Sequence, residues 1–258
     1  MTTTQGKEGA RDQREMASPI IDLRQYTLYP GTRDGFIGLF DREFVETQEA
    51  VGTRVIGQFR DLGDPNRFVW MRGFADMPTR EKALTAFYLE SKAWKTHAEV
   101  ARAQMIDSSD ALLLRPAHAG SGFLLEPAAR RPALDSTLPQ GIVVATLYSL
   151  DAPPGRELLD FFGGTVIPEL EAAGASMLGL LVTEHSPNNF PRLPLREREN
   201  VLISFSGFTD LAAYHQHMTA LGRNPRWRGD IYPALIQKIQ ARPQILRLAP
   251  TSRSQLRA

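Results

Sequence analysis

The sequence of 258 residues contains no cysteine. Disulfide bonds, thiolate nucleophiles and cysteine-ligated zinc are therefore excluded, and a reducing, cytoplasmic environment is expected. The formal net charge is only +1, which gives none of the electrostatic field that a nucleic-acid partner requires. No apolar run approaches the roughly 18 residues of a membrane-spanning helix. Neither a nucleic acid nor a membrane is predicted as a partner.

Motifs with a known catalytic mechanism are also missing. The sequence has no Gly-x-Ser-x-Gly nucleophile elbow and no glycine-rich loop followed by Lys-Ser/Thr. His215 and His217 are only two residues apart, which separates them by roughly 200° around a helix and keeps them off a common metal-binding face. The apolar stripe of that helix is predicted to be Leu211, Tyr214, Met218 and Leu221, so that His215 borders it and His217 faces solvent. No metal and no other cofactor is predicted.

What the chain does contain is an internal repeat. The segment from Phe74 to Pro116 recurs from Phe208 to Pro250, at an offset of 134 residues. A tryptophan marks the middle of each copy, at Trp94 and again 133 residues later. A fixed offset of this kind indicates a repeated structural unit.

Each copy has the pattern of four strands and two helices in the order β-α-β-β-α-β, which is the split βαβ unit of ferredoxin-like folds. Alternating and β-branched segments predict strands at 20–28, 53–60, 67–72 and 110–115, and again at 142–148, 177–183, 201–205 and 245–248. The predicted fold class is α+β, with two ferredoxin-like repeats whose sheets cover each other.

The domain boundaries follow from composition. Residues 1–18 are polar and predict a disordered tail without the apolar core of a secretory signal. The first repeat is predicted at 19–117 and the second at 141–250. Residues 118–140 are rich in Gly, Pro and Ala and predict a linker, in which Phe123-Leu124-Leu125 is an apolar exception suited to docking onto a domain. Residues 251–258 are predicted as a tail.

The first repeat resembles the NIPSNAP family. The resemblance lies in the segment Arg24-Gln25-Tyr26-Thr27-Leu28-Tyr29-Pro30-Gly31, then Gly57-Gln58-Phe59, Trp70-Met71-Arg72-Gly73-Phe74, Arg80 and Trp94. It covers most of residues 20–117, and the second half looks like a more divergent copy. The resemblance implies a dimeric α+β barrel, here with both halves in one chain. It implies little about activity, although the wider superfamily includes cofactorless monooxygenases and haem enzymes.

Four residues of the first copy are candidates for ligand binding: Arg24, Tyr26, Trp70 and Arg72. Strand alternation puts each pair on one face, and neighbouring first and third strands would cluster all four. Two guanidiniums beside two aromatic rings suit a planar anionic or aromatic ligand. The alternative is that they form the interface between the repeats. The second copy has Thr146, Tyr148, Ser204 and Ser206 at these positions.

His97 is a fifth candidate, because it lies three residues after Trp94 and shares its helix face. A histidine beside a buried tryptophan suits a general base or an axial haem ligand. The alternative is an ordinary surface histidine, since the second copy has Asp230 at this position.

These observations favour a protein that binds a small apolar or aromatic molecule between the sheet and helices of the first repeat. A cofactorless monooxygenase-like enzyme is one alternative, and a non-catalytic scaffold is another. A third is a haem enzyme with His97 or His215 as the axial ligand. The sequence leaves a homodimer open as well, because exposed sheet edges can pair two chains.

Overall fold

Eight antiparallel strands close into one barrel in the computed structural model, which describes residues 15–16, 18–125 and 137–258. A separate two-stranded sheet pairs β1 with β6. The strands are β1 (Glu15–Met16), β2 (Ile20–Leu28), β3 (Arg54–Asp61), β4 (Arg67–Phe74), β5 (Met105–Pro116), β6 (Leu124–Leu125), β7 (Ile142–Leu150), β8 (Ser176–Thr183), β9 (Asn200–Phe208) and β10 (Gln244–Pro250).

The barrel order is β10-β3-β4-β2-β5-β8-β9-β7, and β7 pairs with β10 to close it. Each repeat supplies four adjacent strands in the ferredoxin-like order, so the predicted fold class is confirmed. The predicted strands agree with the observed ones except near β5, which begins at Met105 instead of residue 110. The segment Met105–Asp110 begins with two apolar residues and continues with four polar ones, and it therefore lacks the apolar alternation that predicts a strand.

The two repeats are joined by the same strand pairing at both seams. At one seam Leu114 of β5 lies opposite Thr183 of β8. At the other, Leu248 of β10 lies opposite Asp61 of β3. Leu248 follows Leu114 by 134 residues and Thr183 follows Asp61 by 122, the offsets of the repeat. The strand pairing at the two seams is therefore related by an internal two-fold symmetry. Every barrel strand of the described chain is paired on both sides.

Helices cover the outer face of each half-barrel, and each helical segment contains a five-residue π-helical stretch. In the first repeat these are α1 (Arg33–Leu39), Phe40–Phe44 and α2 (Val45–Glu49), then α3 (Met77–Thr85), Ala86–Glu90 and α4 (Lys92–Arg102). In the second they are α5 (Arg156–Phe161), Phe162–Val166 and α6 (Ile167–Ala172), then α7 (Leu211–Arg223), Trp227–Ile231 and α8 (Tyr232–Ile236). Among these described helices, none has both the length and the apolar character to cross a membrane.

Matching side-chain caps start the second helical segment of each repeat. Asp76 accepts a hydrogen bond from the Thr79 amide at 2.7 Å, and Asp210 accepts one from the Ala213 amide at the same distance. Each satisfies an amide that has no partner within its helix. The equivalent caps set both helices at equivalent positions on their sheets.

The segments that follow each repeat fill the barrel ends. Phe123, after the first repeat, is fully buried in the barrel core and contacts Phe205 at a ring distance of 4.9 Å. Leu256, after the second, is buried in the same core and donates its amide to the Ile56 carbonyl at 2.8 Å. The apolar Phe123 thus docks as expected, and much of the segment 251–258 is packed against the barrel.

The connection between β8 and β9 crosses to the first repeat. Phe190 is buried beside Tyr88, with ring centroids 5.9 Å apart. Asn189 donates to the Met77 carbonyl at 2.6 Å, and Arg196 binds Asp110 at 2.9 Å. The insertion in the second repeat is therefore a strap that holds the two halves together.

We expect Gly57→Ala to destabilise the protein. A Cβ atom there would lie 2.6 Å from two ring carbons of Phe59 in the closed core, and such overpacking costs about 1–3 kcal/mol. Gly163→Ala is the control, because its Cβ meets nothing within 4 Å and helical alanine is favoured by about 0.5–1 kcal/mol. Urea unfolding measures both, and equal free energies of unfolding would contradict the role assigned to Gly57.

Candidate functional site

The structure brings four of the five predicted site residues together. Arg24 lies directly opposite Trp70 on β2 and β4, and the Tyr26 and Trp70 rings are 5.9 Å apart. The guanidinium carbon of Arg72 lies 4.9 Å from the Trp70 ring centroid. All four side chains are at most 5% exposed.

These four residues face the helices of their own repeat, so the inter-repeat interface interpretation is wrong. Tyr26 and Trp70 belong to a cluster with residues of α1, α2 and α4. The face turned towards the other repeat carries the alternate residues, such as Met71, which packs with Ile203 in the barrel core. Because side chains alternate along a strand, the same β4 segment supplies both layers.

Aromatic side chains fill the layer between sheet and helices in the first repeat. Phe40 packs on Trp70 at a ring distance of 4.8 Å and Phe44 packs on Phe87 at 5.8 Å. Phe36, Phe40, Phe44, Phe68 and Phe87 are each at most 3% exposed. The space that a planar aromatic ligand would need beside these residues is therefore filled by the protein's own rings.

A buried ionic network lies beside these rings. Asp22 accepts from Arg72 Nε and from Arg80 Nε, each at 3.1 Å. Arg80 also donates to Asn189 of the strap at 2.7 Å. Burial alone raises the pKa of Asp22, but the positive charges of Arg72, Arg80 and Arg24 outweigh it and hold that pKa below its usual value.

His97 lies apart from the other four. Its Nε2 is 3.4 Å from the Glu43 carboxylate, and its ring centroid is 6.5 Å from that of Phe44. The side chain is 29% exposed, so it sits at the rim of the aromatic layer and not within the arginine cluster.

The second repeat has the same sheet geometry with much smaller side chains. Thr146 lies opposite Ser204 on β7 and β9, in the register that places Arg24 opposite Trp70 in the first repeat. Ser206 replaces Arg72 at the next position on that face. The loss of side-chain volume leaves a cleft of about 680 Å³ between the sheet, α7 and α8.

The cleft is lined mainly by apolar and aromatic groups. Its walls are Val144, Leu170, Phe208, Tyr214, Met218, Leu221, Trp227, Tyr232, Leu235 and Ile245. Hydroxyl groups come from Thr146, Tyr148, Ser204 and Ser206, and the exposed Arg228 and Arg242 add positive charge. An apolar cavity with a few polar groups is typical of small-molecule sites.

Tyr148 is the most deeply placed phenol in the cleft. Burial raises its pKa to about 12, although hydrogen bonds with Ser204 and Thr146 act in the opposite direction. The phenol is therefore protonated at neutral pH and can donate a hydrogen bond to an oxygen of a ligand.

His217 also lines the cleft, and the prediction that it faces solvent is wrong. It is only 6% exposed, whereas Met218 is 45% exposed. The buried stripe of α7 is Tyr214, His217 and Leu221, which has helical spacing of three and four. The prediction chose Met218 over His217 because methionine is more hydrophobic, and the predicted buried stripe was therefore displaced by one residue.

The His217 ring has a defined tautomer. Its Nδ1 lies 3.2 Å from the Ala173 carbonyl oxygen, which can only accept a hydrogen bond, so Nδ1 carries the proton. Burial lowers the pKa of His217 below its usual value, despite this hydrogen bond. The ring is therefore neutral near pH 7, and Nε2 keeps its lone pair.

The sequence contained a signal for this cleft. The small residues Thr146, Ser204 and Ser206 stand where the first copy has Arg24, Trp70 and Arg72. Large polar and aromatic residues suggested binding in the first copy, but the smaller residues create the space. His97 and His215, the two histidines of the haem hypothesis, do not line the cleft, and the described residues contain no cluster of three His, Asp or Glu suited to a metal ion.

Comparisons with known proteins confirm the family resemblance of the first repeat and the fold. Residues 21–119 match the NIPSNAP family model. No curated protein matches the sequence. A candidate monooxygenase from Fusobacterium nucleatum subsp. nucleatum has a similar structure, with TM-score 0.56 and 12% identity over 91% of this chain and 93% of that one.

Two further solved structures are similar over nearly the whole chain. A candidate monooxygenase from Lactobacillus acidophilus has TM-score 0.51 and 12% identity, covering 90% of this chain and 94% of its own. An anthrone oxidase-like protein has TM-score 0.53 and 13% identity, covering 96% and 98%. At these identities the likeness establishes the fold and not the activity.

We expect the environment of His217 to make stability depend on pH. Because its folded pKa is lowered, the unfolded chain takes up a proton first as pH falls below about 6.5. The free energy of unfolding should then drop by at most about 1.4 kcal/mol per pH unit from this group, and show no such contribution above about pH 7.

Urea unfolding of wild type, His217→Asn and His215→Asn between about pH 5 and about pH 8 measures this effect. The exposed His215 serves as the matched control. The difference between wild type and H217N should shrink on acidification, and a difference that does not vary with pH would contradict a buried neutral His217.

Proposed function

We propose that the cleft of the second repeat binds a small aromatic or apolar molecule that carries at least one oxygen. The main observation in support is the volume of the cleft, about 680 Å³, which falls within the range of roughly 300–1,000 Å³ typical of ligand sites. A scaffold whose repeats only build surfaces would have no use for a cavity of this size. The cleft therefore favours ligand binding over a purely structural role.

The chemistry of the walls narrows the ligand class. Trp227, Tyr214 and Phe208 offer ring faces and edges against which a planar molecule stacks. Tyr148 donates a hydrogen bond, while Nε2 of His217 accepts one. A phenol meets both requirements, because its hydroxyl group accepts a hydrogen bond and donates one.

Homodimerisation has less support than ligand binding. The barrel is closed within one chain, so a dimer would use the helical surface and not a barrel edge. We also propose a cytoplasmic location, which the absence of cysteine favours.

Filling the cleft should weaken ligand binding. Ser204→Leu places a larger apolar side chain where the first repeat has Trp70, and we expect it to weaken 2-naphthol binding at least about tenfold, or ~1.4 kcal/mol. Ala212→Leu, at an exposed position of α7 outside the cleft lining, is the matched control. Isothermal titration calorimetry gives both affinities. Equal binding by folded S204L and wild type, or no binding by wild type, would refute the proposal.

A second candidate function is cofactorless oxygenation, and the neutral His217 favours it. His217 lines the apolar cleft, and its neutral Nε2 is a base for an acidic C–H that is conjugated with a carbonyl, as the CH2 group of anthrone is through its aromatic rings. Tyr148 donates to the oxygen on which negative charge then develops. The carbanion passes electrons to dioxygen, so that anthrone and O2 give anthraquinone and water. Two of the similar structures are candidate monooxygenases and one is an anthrone oxidase-like protein.

An oxygen electrode with anthrone as substrate tests this candidate. His217→Gln should lower the oxidation rate about 100-fold or more, the usual contribution of a general base, while anthrone binding by calorimetry stays within a few-fold. His215→Gln should leave the rate unchanged. Binding without any oxidation above the uncatalysed rate would leave ligand binding intact and exclude this reaction.

A further inference from the structure

One group of buried side chains in the first repeat contains more positive charge than negative charge. Arg24, Arg72 and Arg80 are 1%, 0% and 0% exposed, and Asp22 beside them is 0% exposed. Three guanidiniums and one carboxylate leave a formal excess of two positive charges in this group. A buried charge without a partner is strongly unfavourable, and it normally has a counter-ion and a full set of hydrogen bonds.

Asp22 compensates only two of the three arginines by direct contact. Arg72 approaches its carboxylate at 3.0 Å and Arg80 at 3.1 Å. Arg24 makes no carboxylate contact within the described chain, and its Nη2 donates to the Ser108 carbonyl at 3.1 Å. Arg24 is therefore the arginine of this group without a carboxylate contact, and it accounts for one of the two excess positive charges.

Two of the nitrogen donors of Arg24 are unpartnered in the described chain as well, although its guanidinium interacts with the Tyr26 hydroxyl and with the Ser108 carbonyl. Its Nε and Nη1 are fully buried without a hydrogen-bond partner among residues 15–16, 18–125 and 137–258. The same holds for the indole Nε1 of Trp70, which lies opposite Arg24 on β4. Buried donors of this kind are rare in folded proteins and mark the place of a water or an ion. Water would satisfy the N–H groups but would leave the charge uncompensated, whereas an anion does both.

We propose that Arg24, with the indole N–H of Trp70 on the facing strand, forms a binding site for a small monoanion. Chloride and a carboxylate of formate size share the required chemistry, a single negative charge that accepts several N–H bonds. The tight aromatic packing around Trp70 restricts the site to ions of this size. The site is separate from the cleft of the second repeat and does not depend on its function.

The second repeat gives an internal comparison. Val144, Thr146 and Ser206 replace Asp22, Arg24 and Arg72 at the equivalent sheet positions, so the entire charge group is missing there. The equivalent strands and capped helix form without it. The arrangement of strands and helices in a repeat therefore does not depend on this group, and its excess positive charge in the first repeat would be reduced by a bound anion.

Thermal unfolding in defined salts tests this site. The reference buffer contains sodium gluconate, whose anion is too bulky to enter the layer between sheet and helices. Sodium formate or sodium chloride then replaces part of the gluconate, so that the ionic strength stays constant. We expect the wild-type Tm to rise by about 5 °C or more at one hundred times the dissociation constant. Arg24→Gln should show no rise, and Arg24→Lys should need a higher anion concentration. Arg198→Gln, at an exposed position, is the control and should behave as wild type.

The salt that produces the Arg24-dependent rise identifies the ion. A Tm that responds equally in wild type and R24Q, or in neither, overturns the proposal and assigns the free donors to water. If R24Q does not fold, calorimetric titration of wild type with formate and with chloride decides the matter. Heat of binding that saturates at a single site supports the proposal. A titration without any saturable heat of binding overturns it. S204L should retain the anion response, which separates this site from the cleft.

Discussion

Each four-stranded sheet has an inner apolar face that only the other sheet covers, and the rest of the structure depends on this pairing. Leu23 and Met71 of one repeat meet Ile203 and Phe205 of the other in a single core. The two seams between the repeats have equivalent registers, Leu114 with Thr183 and Leu248 with Asp61. A single repeat would expose its inner face to water. A second sheet that covers the first is thus needed for a closed core, and the duplicated pattern supplies both sheets within one chain.

This constraint acts on the inner faces and leaves the outer faces free to differ. In the first repeat the outer face is closed by aromatic rings and by the network of Asp22 with Arg72 and Arg80. In the second repeat threonine and serine at the same positions open a cleft. One side of the molecule is therefore packed and charged inside, while the other has room for a ligand. The strap that carries Asn189 ties the two sides together.

The difference between the outer faces of the two repeats shows which part of the site prediction was correct and which was wrong. The adjacency of Arg24 and Trp70 followed from strand alternation and the ferredoxin-like order, and the structure has it. The choice between a ligand and the protein's own side chains did not follow, because Phe40 and Phe44 come from a helix whose position over the sheet is a tertiary feature. Rotation of α7 by one residue likewise decided that His217 and not Met218 is buried, although both line the cleft.

The sequence by itself determined the strands, their order and the two-fold plan, because these depend on local alternation and on a repeat that can be read as an offset. It also determined which positions differ between the copies, such as Trp70 and Ser204. Only the tertiary structure decided which half has space and which buried arginine makes no carboxylate contact among the described residues. Both are properties of a packed volume, and packing depends on side chains that are distant in sequence.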